Sequence, residues 1–332
     1  MNFLRTIGNV RDFYLYRGQE VFVFDDKLHV GSQILDSPPE FSYFVQNDNL
    51  ERLVYDCDDK PKYFLYQDGQ FVAQTCRYGN KFTLLGSAQR LSRKYEDGRI
   101  MISLIDGTQE FLFEIKSDSY LRISKMISRL SILILPIGDE KSLLFYSKTG
   151  ERLWEYREEE ANLVINCGCI PVVDDVVVVI SMLGLRPEKM QGFNVRTGER
   201  LWGATFDGKG VSNTLFVGDD GVLYGCMTPF ASRGLVLTIL NPFTGELVKH
   251  VISEEDGFDV MPWLVTMHGQ RLYYTDNRRG NEIGVIDVDR RELVECVPLN
   301  IKKKVTIGAP VVSDDKVYVF ISDLRELRVF EK

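Results

Sequence analysis

The chain has 332 residues, of which 44% are hydrophobic and 27% are charged, and its net charge is −8. This composition is that of a folded protein, and the acidic excess excludes general nucleic-acid binding, which requires a positive surface. The first 20 residues contain Arg5, Arg11, Asp12 and Arg17 and lack the apolar run of a signal peptide. The longest apolar run, Val176–Leu185, is too short to span a bilayer. We therefore expect a cytoplasmic protein that binds neither nucleic acid nor membranes.

Hairpin turns recur along the chain. Each turn follows a β-branched or aromatic run, contains Gly or Asp, and precedes a second alternating run, which is the pattern of a β-hairpin. The motif TGERLW occurs twice, around Gly150 and Gly198. In chain order the predicted turns, 38 to 48 residues apart, lie at Asp26, Gly69, Gly107, Gly150, Gly198, Gly245 and Arg291.

A second turn keeps the same period at a different phase. It contains paired aspartates at Asp174-Asp175, Asp219-Asp220 and Asp314-Asp315, and His268-Gly269 fills the slot between the last two pairs. Two hairpins in each unit make four strands. One unit is therefore predicted to be a four-stranded antiparallel meander.

Strand-rich units at this period are typical of a β-propeller, because each unit buries its faces only by stacking on its neighbours. We expect an all-β protein in which residues 1–332 form one domain. After the last turn, three further strands are predicted at Ala309–Val312, Val317–Ile321 and Leu327–Phe330. The N-terminal run Asn2–Ile7 can supply the fourth strand, which would close the ring with eight blades, the first of them short. Seven blades with irregular ends is the alternative.

The repeat resembles that of the quinoprotein-like, or PQQ-repeat, β-propeller family. Ser147–Trp154 and Asn194–Trp202 carry the motif best, and Leu240–Val248 keeps Thr-Gly-Glu with Val248 at the tryptophan position. The specific resemblance covers residues 140–300. It implies that the Thr-Gly turn closes the outer hairpin of a blade and that the tryptophan packs between adjacent blades.

Quinone-dependent dehydrogenases of that family are exported enzymes with a calcium ion, an aspartate base and, commonly, a disulfide between adjacent cysteines. This chain has no adjacent cysteine pair and no calcium-loop pattern. Cys167 and Cys169 form a Cys-Gly-Cys motif without a second pair at zinc spacing. Reduced thiols are expected at Cys57, Cys76, Cys167, Cys169, Cys226 and Cys296. The sequence predicts no cofactor and no metal site.

Hydrolase motifs are also missing, and only three histidines occur, at His29, His250 and His268. His250 and His268 are expected at the surface, His250 after a strand and His268 in a turn. The paired aspartates follow the repeat, so turn chemistry explains them. No catalytic residue is predicted, although a carboxylate pair assembled in the central channel stays open.

Charge runs give one pointer to function. They are expected to be solvated loops, or alternatively a bipolar surface that orients a protein partner. The runs are Glu158–Glu160, Glu254–Asp256, Arg278-Arg279, Arg290-Arg291 and Lys302–Lys304. We therefore expect a non-catalytic protein-binding module, with a bacterial toxin-neutralising immunity protein or an assembly scaffold as the roles that the resemblance suggests. The alternative is a quinone- or metal-dependent oxidoreductase with a site in the central channel. The sequence does not indicate the oligomeric state.

Overall fold

The secondary structure is dominated by β-strands, which confirms the predicted all-β class. Short 3-10 helices lie at Pro262–Leu264 and Ser322–Leu324. Within the described part of the chain, no helix is long and apolar enough to cross a membrane. A computed structural model of the chain describes residues 1–16, 19–24, 27–36, 43–46, 53–56, 62–67, 70–75, 82–84, 89–106, 109–116, 125–127, 130–138, 140–206, 209–229, 234–255, 257–276, 282–301 and 305–332.

The described strands form eight antiparallel sheets, numbered here in chain order. The first sheet contains β2 (Val10–Tyr16), β3 (Gln19–Phe24), β4 (Lys27–Val30) and β5 (Gln33–Asp36). The second contains β6 (Tyr43–Gln46), β7 (Leu53–Asp56), β8 (Lys62–Gln67) and β9 (Gln70–Thr75). The third contains β10 (Phe82–Leu84), β11 (Gln89–Glu96), β12 (Arg99–Asp106) and β13 (Gln109–Lys116). The fourth contains β14 (Lys125–Ile127), β15 (Ile132–Pro136), β16 (Ser142–Ser147) and β17 (Arg152–Arg157).

The next three sheets repeat this meander. In the fifth, two short strands share the first position, β18 (Val164–Ile165) and β19 (Val172–Val173), followed by β20 (Val176–Leu183), β21 (Arg186–Asn194) and β22 (Arg200–Thr205). The sixth contains β23 (Phe216–Val217), β24 (Leu223–Met227), β25 (Leu235–Leu240) and β26 (Leu247–Ser253). The seventh contains β27 (Val265–His268), β28 (Arg271–Asp276), β29 (Glu282–Asp287) and β30 (Glu292–Pro298).

The eighth sheet joins the two ends of the described chain. Its strands are β31 (Val311–Val312), β32 (Lys316–Ile321), β33 (Glu326–Glu331) and β1 (Asn2–Ile7). β1 pairs antiparallel with β33 and is the edge strand of the sheet. The first strand of the chain therefore takes the position that the fourth strand has in the other sheets.

The repeated Thr-Gly turns connect the third and fourth strands of their sheets. Gly150, Gly198 and Gly245 have φ values of 88°, 73° and 77°, and Arg291 keeps the left-handed conformation at 57°. Glycine suits this region because a side chain there is strained. The predicted turn residues Asp26, Gly69 and Gly107 lie outside the described residues, although β8–β9 and β12–β13 flank the last two as expected.

The predicted position of the Thr-Gly type turn in the first sheet was wrong. Asp26 falls between the second and third strands, β3 and β4, whereas the turn between the third and fourth strands lies at Gly31, with φ of 58°. The third and fourth strands, β4 and β5, have only four residues each. Because these strands are short, the turn before β4 and the turn after it lie close together in the sequence. Both contain Asp or Gly, so the pattern did not distinguish them.

The second marker is confirmed as the turn between the first and second strands of a sheet. Asp174-Asp175 lies between β19 and β20, and Asp219-Asp220 between β23 and β24. His268-Gly269 lies at the β27–β28 turn, and Asp314-Asp315 between β31 and β32. The period seen in the sequence is therefore the period of the sheets.

The core consists of apolar layers between consecutive sheets. Central strands such as β20 are buried on both faces, so they read as continuous apolar runs, whereas edge strands such as β30 alternate. Separate buried clusters join the third sheet to the fourth, the fourth to the fifth, and so on to the eighth. A further cluster places Val10 and Leu15 of the first sheet against Tyr318 and Val329 of the eighth.

Tryptophan rings fix the outer part of this packing. Trp154 lies over Gly198 of the next sheet, where a Cβ atom would come within 2.7 Å of the ring, and its Nε1 donates to the Val195 carbonyl at 2.8 Å. Trp202 lies over Gly245 in the same way, with 2.5 Å to a Cβ atom, and donates to the Pro242 carbonyl at 2.6 Å. Each tryptophan therefore joins one sheet to the turn of the next.

Other sheets vary this contact. Phe113 of the third sheet occupies the space over Gly150. In the sixth sheet, Val248 pairs with Ile239 as Trp202 pairs with Gly192, so Val248 stands at the tryptophan position. The following turn there carries Arg291 instead of glycine. Thus a sheet with a large ring at this position precedes a sheet whose turn has glycine. The sheet with the smaller Val248 precedes a sheet whose turn has Arg291.

Replacing the turn glycine should reveal this contact. We expect Gly269→Ala to cost about 1 kcal/mol, because Gly269 has positive φ but open space around its Cβ position. Gly245→Ala should cost about 3 kcal/mol, since the added methyl group also displaces the Trp202 ring. Urea denaturation followed by circular dichroism measures both. If both variants lost the same free energy of unfolding, the Trp202 ring would not require the space that Gly245 leaves, and the prediction would be wrong.

Candidate interaction groove between the fourth and fifth sheets

A buried carboxylate joins the fourth and fifth sheets. Glu158 directly follows β17, and its side chain is 0% exposed. Lys189 of β21 donates to Glu158 Oε1 at 2.9 Å, and the backbone N–H of Glu160 donates to the same oxygen at 3.1 Å. Ser181 of β20 donates to Oε2, and the Tyr156 hydroxyl lies 2.8 Å from Oε2. Four donors from two sheets therefore surround one carboxylate.

These contacts determine the charge of the cluster. Burial by itself would raise the pKa of Glu158, but hydrogen bonds from Ser181, Lys189 and Tyr156 outweigh it and lower the pKa from 4.5 to about 2. Burial would lower the pKa of Lys189, yet its bonds to Glu158 and Glu160 raise it above the ordinary value. Burial raises the pKa of Tyr156, so the phenol stays protonated and can donate. At neutral pH the cluster is a fixed ion pair.

A surface groove lies over this cluster. It consists of two adjoining depressions of about 520 and 360 Å³ that share Lys189, Gln191 and Arg200. The Tyr156 hydroxyl, whose proton is donated to Glu158, also lies 2.8 Å from Gln191 Oε1 at the floor of the groove. Arg157 lines the groove on the side of the fourth sheet, and β22 lines it on the side of the fifth.

Strand alternation explains why these side chains converge. Gln191 on β21 pairs with Gly203 on β22, and Phe193 pairs with Arg200, so all four positions share one face of the sheet. Gly203 has no side chain, which leaves the groove open above Gln191. On the opposite face Trp202 covers Gly192, where a Cβ atom would lie 2.2 Å from the indole nitrogen.

Two arginines and the exposed carboxylate of Glu159 line the groove. Arg157 and Arg200 are exposed and, within the described part of the chain, neither forms an ion pair. Leu201, the residue at the β-bulge of β22, is 44% exposed beside them. The groove can therefore offer guanidinium donors and an apolar contact to an acidic surface.

Sequence reasoning missed this site, because it assigned Glu158–Glu160 to a solvated loop. Glu158 is buried, so that expectation was wrong for the first residue of the run. A signal was present: Trp154, Tyr156 and Glu158 alternate with period two, which places Glu158 on the face of its two aromatic predecessors. Glu159 and Glu160 are exposed as expected.

The other charge runs lie elsewhere. Glu254-Glu255 and Arg290-Arg291 are exposed. Asp256, Arg278-Arg279 and Lys302–Lys304 lie outside the described residues. The predicted bipolar surface is therefore described only in part.

The Cys-Gly-Cys motif lies between two strands. Cys167 and Cys169 lie in the segment between β18 and β19 and not on a strand. Cys169 is buried, and its Sγ accepts a hydrogen bond from the Leu215 N–H at 3.2 Å. Cys57 and Cys76 lie outside the described residues. In the portion that the structure describes, no three His, Cys, Asp or Glu side chains form a metal-binding group.

The three histidines lie apart from one another, on different sheets. His29 stacks on Phe22, with ring centroids 4.8 Å apart. His250 is half-buried within β26 rather than after a strand, which corrects its expected position. His268 Nε2 lies 3.3 Å from Asp314 Oδ1, which joins equivalent turns of the seventh and eighth sheets.

Known proteins resemble the chain in fold rather than in sequence. No family model matches it, and no curated protein matches its sequence. BamB from Moraxella catarrhalis matches over 99% of both chains, with a TM-score of 0.61 and 11% identity. Sqt1 from Saccharomyces cerevisiae matches over 99% of this chain and 98% of its own, with a TM-score of 0.57 and 13% identity.

An enzyme is also among the similar structures. A catalytically inactive virginiamycin B lyase from Staphylococcus aureus, with quinupristin, matches over 87% of this chain and 94% of its own, with a TM-score of 0.53 and 11% identity. These structures are β-propellers, so the predicted propeller architecture is confirmed. The fold is shared by proteins with and without catalytic activity, so function must be argued from the site.

The Glu158 cluster predicts a pH-dependent stability. Because the folded pKa of about 2 lies below the ordinary value of 4.5, the carboxylate stabilises the protein above pH 4.5 and this contribution is lost as the pH falls towards 2. The difference in unfolding free energy between wild type and Glu158→Gln should therefore shrink over this range. Denaturant titrations at several pH values measure it. Glu159→Gln, at an exposed neighbour, is the control, and a Glu158→Gln difference that does not vary with pH would contradict the assignment.

Proposed function

We propose that residues 1–332 form a single eight-bladed propeller of PQQ-like repeats, closed by β1 on β33. The eight sheets, the buried cluster between the first and eighth sheets, and the β1–β33 pairing support this arrangement. The contacts of Trp154 and Trp202 with the next Thr-Gly turn support the PQQ-like repeat.

We further propose that this propeller is a non-catalytic module that binds a protein partner in the groove between the fourth and fifth sheets. The observation that carries the proposal is the pair Arg157 and Arg200, which line the groove beside Glu159 and form no ion pair within the described residues, in a chain of net charge −8. Arginine is one of the residues that contribute most to binding at protein interfaces. The partner surface is therefore acidic, with an apolar residue to meet Leu201.

The groove suits binding better than proton transfer. Glu158 is enclosed by four donors and is ionised at neutral pH, and Lys189 is paired with it. A catalytic acid or base needs a pKa near the working pH and access to its substrate. Here the buried pair of Glu158 and Lys189 instead holds the Tyr156 hydroxyl in place at the groove.

The role that we propose is cytoplasmic, as a toxin-neutralising immunity protein or an assembly scaffold. The groove between the fourth and fifth sheets supports a protein partner. A central-channel oxidoreductase is the alternative, and its direct test is metal analysis and absorption spectroscopy of the purified protein. Stoichiometric calcium or quinone would favour the enzyme.

Charge reversal in the groove tests the proposal. Tagged protein is used to recover its partner from the native cell, and recovery is compared with the Arg157→Glu/Arg200→Glu double variant. We expect a roughly tenfold or greater loss of affinity, because two interfacial charges become repulsive. Both residues are exposed, so folding should be unaffected.

Arg290→Glu/Arg291→Glu is the matched control, since it makes the same charge change on the seventh sheet. Retained binding in this control together with loss in the groove variant supports the groove. Loss in the control alone would move the binding surface to the seventh sheet. Equal binding by all three proteins would contradict the role of the arginines.

A further inference from the structure

A second groove, of about 450 Å³, lies between the seventh and eighth sheets. It is lined by Phe3, Thr6, Val297, Pro298, Leu299, Asn300, Arg328 and Phe330. Its volume is that of a site for a small ligand or a short peptide segment. The proposal that follows concerns this groove and does not depend on the groove between the fourth and fifth sheets.

The two grooves occupy the same position in the repeat. In the eighth sheet Phe3 pairs with Phe330, Leu4 forms the β-bulge, and Thr6 pairs with Arg328. In the fifth sheet Arg200 pairs with Phe193, Leu201 forms the bulge, and Gly203 pairs with Gln191. Arg328 therefore stands where Gln191 stands, and Phe3 stands where Arg200 stands.

The polar group on the floor differs in its hydrogen bonding. In the first groove, the Tyr156 hydroxyl of the neighbouring sheet lies against Gln191. In the second groove, the neighbouring sheet contributes Val297 and Pro298, which are apolar. Arg328 donates through Nη1 to the Leu299 carbonyl, and its Nη2 forms an ion pair with Glu326, 3.2 Å from Oε2. Its Nε is buried and has no hydrogen-bond acceptor among the described residues. A guanidinium has five N–H donors, so Arg328 keeps donors for a further acceptor.

The walls of this groove are apolar. Phe3 is 57% exposed and packs edge-to-face on Phe330, with ring centroids 5.7 Å apart. Pro298 lies on the opposite side. Phe3 and Thr6 are three residues apart on an extended strand, so the groove follows β1 for roughly 10 Å. β1 is also the edge strand of its sheet, and none of the other described strands pairs with its second side.

We propose that the second groove binds an extended peptide segment of a partner protein, with a carboxylate at Arg328 and an adjacent apolar side chain against Phe3. Arginine pairs with carboxylates through directed N–H donors, and an anion is the acceptor that its remaining donors favour. An extended segment fits a groove that follows one strand, with the side chains of that strand and its neighbour as walls. A C-terminal carboxylate after an apolar residue is the simplest form of this chemistry.

Calorimetry with two small peptides tests the assignment. The probe is acetyl-Gly-Leu-Phe with a free C-terminal carboxylate, and the comparison peptide is its C-terminal amide. We expect 1:1 binding of the carboxylate peptide, roughly tenfold tighter than the amide. Absence of binding, or equal affinity for the two peptides, would overturn the proposal.

Three single variants locate the site. Arg328→Lys should weaken binding of the carboxylate peptide roughly tenfold, because lysine lacks the planar donor arrangement. Phe3→Ser should also weaken it, and since Phe3 is exposed this variant tests the groove even if Arg328→Lys folds poorly. Phe243→Ser, at a residue that is 46% exposed on the sixth sheet, is the matched control. Unchanged binding by Phe3→Ser, or an equal loss in Phe243→Ser, would place the peptide elsewhere.

The Arg157→Glu/Arg200→Glu variant separates the two grooves. It should bind the carboxylate peptide as wild type does, whatever its effect on the protein partner. Loss of peptide binding in this variant would place the peptide in the first groove and overturn the assignment to Arg328.

Discussion

The fit of an aromatic ring onto the turn glycine of the next sheet is the constraint on which the outer part of the structure depends. Trp154 on Gly198 and Trp202 on Gly245 leave no space for a side chain at the turn. The glycine thus meets two demands at once, a left-handed backbone and a flat surface for the ring. Where Arg291 replaces it, the preceding sheet offers only Val248. Adjacent sheets are therefore matched pairwise.

This packing also sets the position of the groove. On β21, Gly192 faces Trp202 and the sixth sheet, so its neighbours Gln191 and Phe193 must face the fourth sheet. The ring thereby fixes which side chains form the groove floor. Glu158 then holds the two sheets together from the other side through Lys189 and Ser181.

The sequence predicted the features that recur from unit to unit but not those that occur in a single unit. The Thr-Gly turns and the paired-aspartate turns were found because the same demand recurs at a fixed period, and the tryptophan contacts were implied by the resemblance to the PQQ-repeat family. The turn near Asp26 was placed one strand early, because short strands bring two similar turns together. Glu158 was missed because its burial depends on Ser181 and Lys189, more than twenty residues away in the chain. A run of three glutamates looks solvated unless strand alternation is extended past the end of β17.

Function in such a repeat follows from single positions rather than from the repeat itself. Gln191 and Arg328 occupy the same register position, yet the amide is bound to Tyr156 while the guanidinium keeps a buried donor free. Arg200 and Phe3 are exchanged in the same way on the neighbouring strand. The first groove therefore has its charge at the rim and the second at the floor. Because the backbone register is shared, substitutions at these positions determine which side chains each groove presents.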